Sequence, residues 1–200
     1  VAVQSGTYKG VSAADRAADR RRRLLDAALS VWADPDQRTT MTAVCRAAGL
    51  TERYFYESFG GLDEVLSAVV EEVGTEIEST TLAAADAAGA DPAARITAAV
   101  AAFVDLLVAD PRKGRVAIIE AAALPGLRAR RTQLLRHFAH LAAEEAQHHA
   151  ARRHEDELAG LLFIGGMAEV VTAWLDGALD VAPEEVVATA SRAYLGLYPT

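Results

Sequence analysis

Between Gly49 and the pair Gly60-Gly61 the chain reads GLTERYFYESFGG. Two glycine breaks this close together leave room for only one short helix. That stretch also holds Tyr54, Phe55, Tyr56 and Phe59, a third of the 12 aromatic residues in the chain. Phe55 and Phe59 are four apart, so on a helix they share a face and can pack back on preceding elements. Tyr54 and Tyr56 then point away from that face. The plainer alternative is that all four rings fill a small helical core.

The flanking sequence is helical in pattern. Ser12 and Asp15 suit a capped start. Leu24, Leu25, Ala28, Leu29 and Trp32 recur at helical spacing up to about Ala33, where Asp34-Pro35-Asp36 ends the run. Thr40 suits the N-cap of a helix over 42–48 and Thr51 that of one over 52–58. Gly49 is placed as a left-handed terminator between them. A longer helix begins near Leu62. Beyond it, Asp91-Pro92, Asp110-Pro111, Pro125-Gly126 and Pro183 punctuate further helices, expected to about Ala109, to Ala123, over about 127–151, over 157–177 and over 183–197. Alternating Val/Ile/Thr runs are absent, so strands have little support. The fold class is all-α. Residues 1–12 read as a flexible arm, 13–80 as one domain and 81–200 as a second, the boundary following a composition change near residue 80.

Charge divides the same way. Residues 1–60 carry nine basic and seven acidic side chains, whereas the whole chain has a net charge of −8. A mildly basic first segment on an acidic body suggests two parts with different partners. Nucleic-acid binding needs only a positive contact face. The one cysteine, Cys45, allows no intrachain disulfide and fits a reducing compartment. No signal peptide is visible in residues 1–23. The most apolar run, 161–175, falls short of a membrane span. These features give a cytoplasmic expectation with no membrane partner. No phosphate-binding glycine loop or nucleophile elbow occurs, so an enzyme is not expected, nor is a cofactor.

Two short helices joined by a glycine turn and preceded by a longer one describe a helix-turn-helix. Its second helix would enter the major groove and present Thr51, Glu52, Arg53 and Tyr54 to base edges. From Arg23 to Val70 the segments RLLDAALSVWA, TTMTAVCRAAGL and TERYFYESFGGLDEVL resemble the DNA-binding domain of the TetR (tetracycline-repressor) family of transcription regulators. That resemblance implies phosphate contacts from Thr40, Thr42, Thr51 and Tyr56, and base contacts from Arg53 and Tyr54. Arg20 and Arg23, in the run Arg20–Arg23, are further candidates for the backbone or minor groove, against the alternative of a solvated helix face. The family usually has lysine where this chain has Leu62, so one phosphate contact is expected to be missing. Cys45 stands where alanine is usual and reads as a small packing residue.

In the second half, the helix around 158–176 has two faces. Leu158, Leu162, Gly165, Glu169, Thr172 and Ala173 form a flat one, with Gly166 beside it permitting close helix approach. Phe163, Met167, Val170 and Trp174 form a bulky one. The resemblance implies a homodimer through the last two helices, which matches the flat face with Val186, Val187, Ala190 and Tyr194 from the final helix. Phe103, Leu106, Leu107, Ile119, Leu124, Leu134 and Phe138, with Phe163, Met167 and Trp174, are candidates to line a ligand cavity. Glu120 sits at helical spacing between Val116 and Leu124. It either lines that cavity or is satisfied by solvent or an arginine such as Arg95 or Arg128.

The expectation is therefore a ligand-responsive regulator, acting as a repressor released from operator DNA by a small, largely apolar molecule. One rival is a metal-responsive regulator using the stripe His137, His140, Glu144 and His148, although no metal is the primary expectation. Another is a helical enzyme or carrier with a degenerate helix-turn-helix.

Overall fold

The computed structural model describes residues 12–147 and 155–198, with side chains described up to residue 146 and again from residue 157. The described residues are helical throughout, connected by turns. Helices α1 (Ala13–Ala33), α2 (Met41–Ala48), α3 (Glu52–Ser58) and α4 (Leu62–Ala87) come first. They are followed by α5 (Pro92–Ala109), α6 (Pro111–Gly114), a π-helical turn (Arg115–Glu120) and α7 (Ala121–Ala123). Helices α8 (Pro125–Gln147), α9 (Glu155–Leu175) and α10 (Pro183–Leu197) complete the chain.

Packing divides the chain into two units at Val69/Val70, within α4. The composition change near residue 80 lies further on, because α4 keeps burying apolar side chains on both sides of the division, from Val65 to Ile77.

In the first unit the caps expected at Ser12 and Thr40 form, whereas Thr51 makes no side-chain capping bond. Ser12 and Asp15 make a reciprocal capping box, and Thr40 Oγ1 accepts from the Ala43 N–H at 3.2 Å. Gly49 takes a left-handed conformation, φ +62°, which lets the Leu50 N–H reach the Cys45 carbonyl at 3.0 Å. Leu24, Ala28, Leu29 and Trp32 of α1 are buried, and α1 packs on both α2 and α3. Cys45 is buried too. Burial pushes its thiol up, with the Glu52 charge adding to the effect, so it behaves as a packing residue rather than a reactive thiolate.

In the second unit α5 and α10 pack around Ile96, Val100, Val104, Val186, Ala190 and Tyr194. Helices α8 and α9 pair closely, and a Cβ placed on Gly160 would collide with the Ala139 carbonyl oxygen of α8. Two segments, Pro92–Ala109 and Glu157–Leu175, are long and apolar enough to cross a membrane by length and composition alone. Helix α5 spends that apolarity on the helical core, where Val104 and Leu107 are almost fully buried.

The Gly160 crossing yields a stability prediction. An exposed helical Gly→Ala change gains up to about 1 kcal/mol of helix propensity. Here the neighbour is a backbone carbonyl that cannot rotate aside, and overpacking costs about 1–3 kcal/mol. Gly160→Ala should therefore lower the urea midpoint, followed by circular dichroism. A raised midpoint would contradict the close α8–α9 approach.

Candidate functional site

Helix α3 is amphipathic in the expected sense. Phe55 is 0% and Phe59 2% exposed, whereas Tyr54 is 37% and Tyr56 59% exposed. The Phe55 and Phe59 rings lie 5.9 Å apart, and Tyr56 meets Phe55 edge-on at 5.8 Å. Thr42, Thr51 and Arg53 are exposed, and Thr40 is half-buried. Thr51 stands at the N-cap of α3 without a side-chain capping bond. Thr42, Thr51, Arg53, Tyr54 and Tyr56 are thus solvent-facing positions on or just ahead of α2 and α3.

The Arg20–Arg23 run makes a set of contacts within the first unit. Arg23 Nη2 donates to the Ala48 carbonyl at 2.6 Å, at the end of α2. Arg21 Nη1 donates to the Ser58 carbonyl at 2.8 Å, at the end of α3, with its guanidinium 4.2 Å from the centre of the Phe59 ring. Arg22 pairs with Asp19. The Arg20 guanidinium lies over the Tyr54 ring at 4.6 Å and 3.6 Å from Glu57. These side chains tie α1 to the carbonyl ends and rings of the next two helices. Arg23 in particular spends one guanidinium nitrogen on protein backbone while its side chain is otherwise exposed. Sequence reading missed this because the acceptors are main-chain carbonyls 25 and 37 residues away, which carry no side-chain signal.

Arg53 is 84% exposed and pairs with Glu57 at 3.1 Å. Such a surface pair contributes at most about 0.5 kcal/mol, so it does not lock the guanidinium. At the start of α4, Leu62 is half-buried. The backbone just before it is partly engaged, since the Gly60 N–H donates to Glu64 Oε2 at 2.7 Å.

The second unit encloses a cavity of about 170 Å³. Its wall draws on α4 (Ile77, Thr81), α5 (Ile96, Val100, Phe103), the π-helical turn (Ala117, Ile118), α8 (Leu134, Phe138), α9 (Phe163, Met167) and α10 (Tyr194). Of the positions expected there, Phe103, Leu134, Phe138, Phe163 and Met167 line it. Leu107, Ile119, Glu120, Leu124 and Trp174 do not. Leu106 and Leu107 are buried, Leu107 beside Gly114, and Trp174 packs against the α5–α10 cluster. Glu120 pairs with Arg115 at 3.5 Å, while Arg95 serves Glu145 and Asp86 instead.

The final helix also corrects an expectation. Tyr194 is 3% exposed, donates its hydroxyl proton to the Ala142 carbonyl at 2.6 Å and packs edge-on against Phe163. Val186 and Ala190 are buried with it. All three belong to the chain's own core, whereas Val187 is half-buried. On α9, Leu158 and Leu162 are 61% and 60% exposed. Leu161 and Val170 extend the stripe, with Gly165, Gly166 and Glu169 exposed and Ala173 half-buried. Val170, expected on the bulky face, is therefore on the outward one.

His137 Nε2 lies 2.9 Å from Glu78, and His140 lies 3.3 Å from Glu144. His148 falls outside the described residues. No three His, Cys, Asp or Glu side chains converge as a metal site among the described residues.

Neither the family models nor the curated protein sequences give a match. Solved structures do. The fatty acid degradation regulator FadR of Bacillus halodurans superposes with a TM-score of 0.77 at 20% identity, over 88% of this chain and 95% of that one. The chain has the fold of the TetR-family regulators. A TetR-like transcriptional regulator of Rhodococcus sp. RHA1 gives a TM-score of 0.71 at 20% identity, over 90% and 97% of the two chains. Bacillus subtilis FadR, solved in complex with stearoyl-CoA, gives 0.70 at 18% identity, over 89% and 97%. This TetR-type fold accommodates both the exposed α3 face and the cavity within one chain.

The arginine ties predict a division of labour within the first unit. Hydrogen bonds from charged donors contribute about 1.5–3 kcal/mol, less at partial exposure. Arg23→Ala should therefore lower unfolding free energy by about 1–2 kcal/mol, while Arg53→Ala should leave it within about 0.5 kcal/mol. Urea titration decides between them. Equal stability of Arg23→Ala and the parent would mean that the Ala48 contact does not hold α2.

Proposed function

We propose that the protein is a homodimeric, ligand-responsive transcription regulator that binds operator DNA and acts as a repressor in the cytoplasm. The observation that carries the reading is α3. Its apolar rings are buried, and Arg53, Tyr54 and Tyr56 stand exposed on a helix-turn-helix within a TetR-type fold. Arg53 is the candidate for base contact, because a guanidinium fork matches the two major-groove acceptors of guanine. The hydroxyls of Thr42, Thr51 and Tyr56 suit phosphate oxygens. Thr40 is spent chiefly on its cap.

Dimerisation follows from the exposed stripe of α9. Exposed apolar side chains in one contiguous patch mark an interaction site, and operators read by paired helix-turn-helix units need two copies. The cavity is the proposed effector site, for a small, largely apolar molecule. Bacillus subtilis FadR, solved in complex with stearoyl-CoA, has a ligand with a long hydrocarbon chain on a charged head. Effector would act by preferring a dimer arrangement whose two recognition helices no longer match successive major grooves. The metal-responsive rival has no converging ligand set among the described residues to support it.

Two predictions test this. Arg53→Ala should weaken specific binding by roughly 1–3 kcal/mol and relax base preference at one position per half-site. Tyr56→Phe should weaken binding about equally across sequences. Fluorescence anisotropy on selected and scrambled duplexes measures both, and full operator affinity in Arg53→Ala would refute the recognition-helix assignment. For assembly, no atom lies within 4 Å of a Cβ built on Gly165. Gly165→Leu should thus keep the subunit folded yet give a monomer with poor operator affinity. An unchanged dimer in sedimentation would remove α9 from the interface.

A further inference from the structure

The outermost line of α3 includes a carboxylate. Phe55 is fully buried, and the residues two before and two after it lie about 160° from it round the helix, one on each side. Those residues are Arg53 and Glu57. Glu57 thus stands on the line farthest from the core, where the phosphates of a duplex would repel it. Its charge is met on both sides. Glu57 Oε1 accepts from Arg53 Nε at 3.1 Å, and its Oε2 lies 3.6 Å from Arg20 Nη2. Arg20 is the better anchored of the two cations, its side chain 23% exposed against 84% for Arg53. Arg20 Nε is shut away from solvent without a hydrogen-bond partner, and the guanidinium lies over the Tyr54 ring. One carboxylate therefore joins an anchored arginine of α1 to an exposed arginine of α3.

We propose that Glu57 is a positioning residue for Arg53, held in turn by Arg20, and that it sets which edge of the Arg53 guanidinium reaches a base. This deepens the recognition-helix reading given above and rests on it. A guanidinium has five N–H groups, one at Nε and two at each Nη. With Nε occupied by Glu57, the two Nη groups form the remaining fork, and such a fork matches O6 and N7 of guanine. In the free chain the Arg53–Glu57 pair is exposed and weak. Against a duplex, which displaces water, the same pair strengthens. Its effect therefore belongs to the complex rather than to the stability of the free fold. The two guanidinium groups and the carboxylate are together formally net positive by one charge. Glu57 can thus stay at the interface without making this part of α3 repel phosphates.

Fluorescence anisotropy of the full chain at about 0.15 M salt tests the proposal on two duplexes. One is the selected operator, and the other is changed at the base pair whose preference Arg53→Ala loses. The quantity read is the ratio of the two affinities. Glu57→Ala should lower that ratio about five-fold or more. It should also strengthen binding to scrambled DNA about two-fold or more, because a negative charge has gone. Glu57→Gln keeps an oxygen that can accept from Arg53 Nε, so it should retain most of the ratio. Arg20→Met keeps the stem beside Tyr54 and removes the charged head. It should lower the ratio too, yet add little to Glu57→Ala in the double variant, because both act through one carboxylate. An unchanged ratio in Glu57→Ala would overturn the proposal. A parallel rise on every sequence would make Glu57 a plain repulsive charge, and a parallel fall would make it a structural residue. Equal losses in Glu57→Gln and Glu57→Ala, or full additivity with Arg20→Met, would overturn it as well. Arg53→Ala separates the two levels of failure. If that variant keeps full operator affinity, the recognition-helix reading falls and this proposal with it. If it loses base preference while Glu57→Ala keeps the parent ratio, only this proposal falls.

Discussion

A helix of seven residues has no stability of its own in water, since nucleation consumes most of what its few hydrogen bonds return. The first unit depends on overcoming this for α3. Phe55 and Phe59 do so from below, each burying a side chain whose transfer from water contributes roughly 1.5–3 kcal/mol. Arg21 does so from the end, capping the Ser58 carbonyl and covering the Phe59 ring. With those anchors in place, helical geometry leaves Arg53, Tyr54 and Tyr56 on the outer side. The exposed face of α3 is a consequence of where the two phenylalanines must go. Arg20 adds direction by lying over Tyr54, a contact of about 0.5–1 kcal/mol that orients the ring without burying it.

The second unit solves a related problem with longer helices. Helix α9 serves two neighbourhoods from one cylinder. Phe163 and Met167 face the cavity, while Leu158, Leu162 and Val170 face outward. Between them Gly160 lets α8 approach to backbone contact, which holds the inner face in position. The outward face is then the surface that a second copy would cover, and the inner face closes a space lined almost wholly by hydrocarbon. The cavity wall and the exposed apolar stripe are thus two sides of one element, so an occupant of the cavity and a partner copy would act on the same helix.

Much of this was legible in the residues. Glu52–Ser58 and Pro183–Leu197 are bounded by caps and breakers that act within a few positions, and both helices form where those signals place them. The inward and outward division of the four aromatics follows from 3.6-residue geometry alone. What escaped was of two kinds. Long-range partners left no trace: the carbonyls bound by Arg21 and Arg23 belong to distant turns, and Tyr194 looks the same whether it faces its own core or a partner. Phase was lost as well. At α-helical spacing Glu120 shares a face with Val116 and Leu124, but Arg115–Glu120 form a π-helical turn, whose wider i→i+5 bonding changes the spacing of side chains around the axis. Ala117 and Ile118 consequently line the cavity, while Ile119, Glu120 and Leu124 turn away from it.

The central claim is that α3 of two subunits reads two half-sites on one duplex. Selection of bound fragments from a random DNA pool tests it most directly. The account predicts enrichment of an inverted repeat whose half-sites lie about one helical turn apart, 10–10.5 bp, or a multiple of it, with affinity that falls steeply as salt rises. Recovery of no sequence preference at any salt concentration, or of a single unrepeated site bound one subunit at a time, would contradict it.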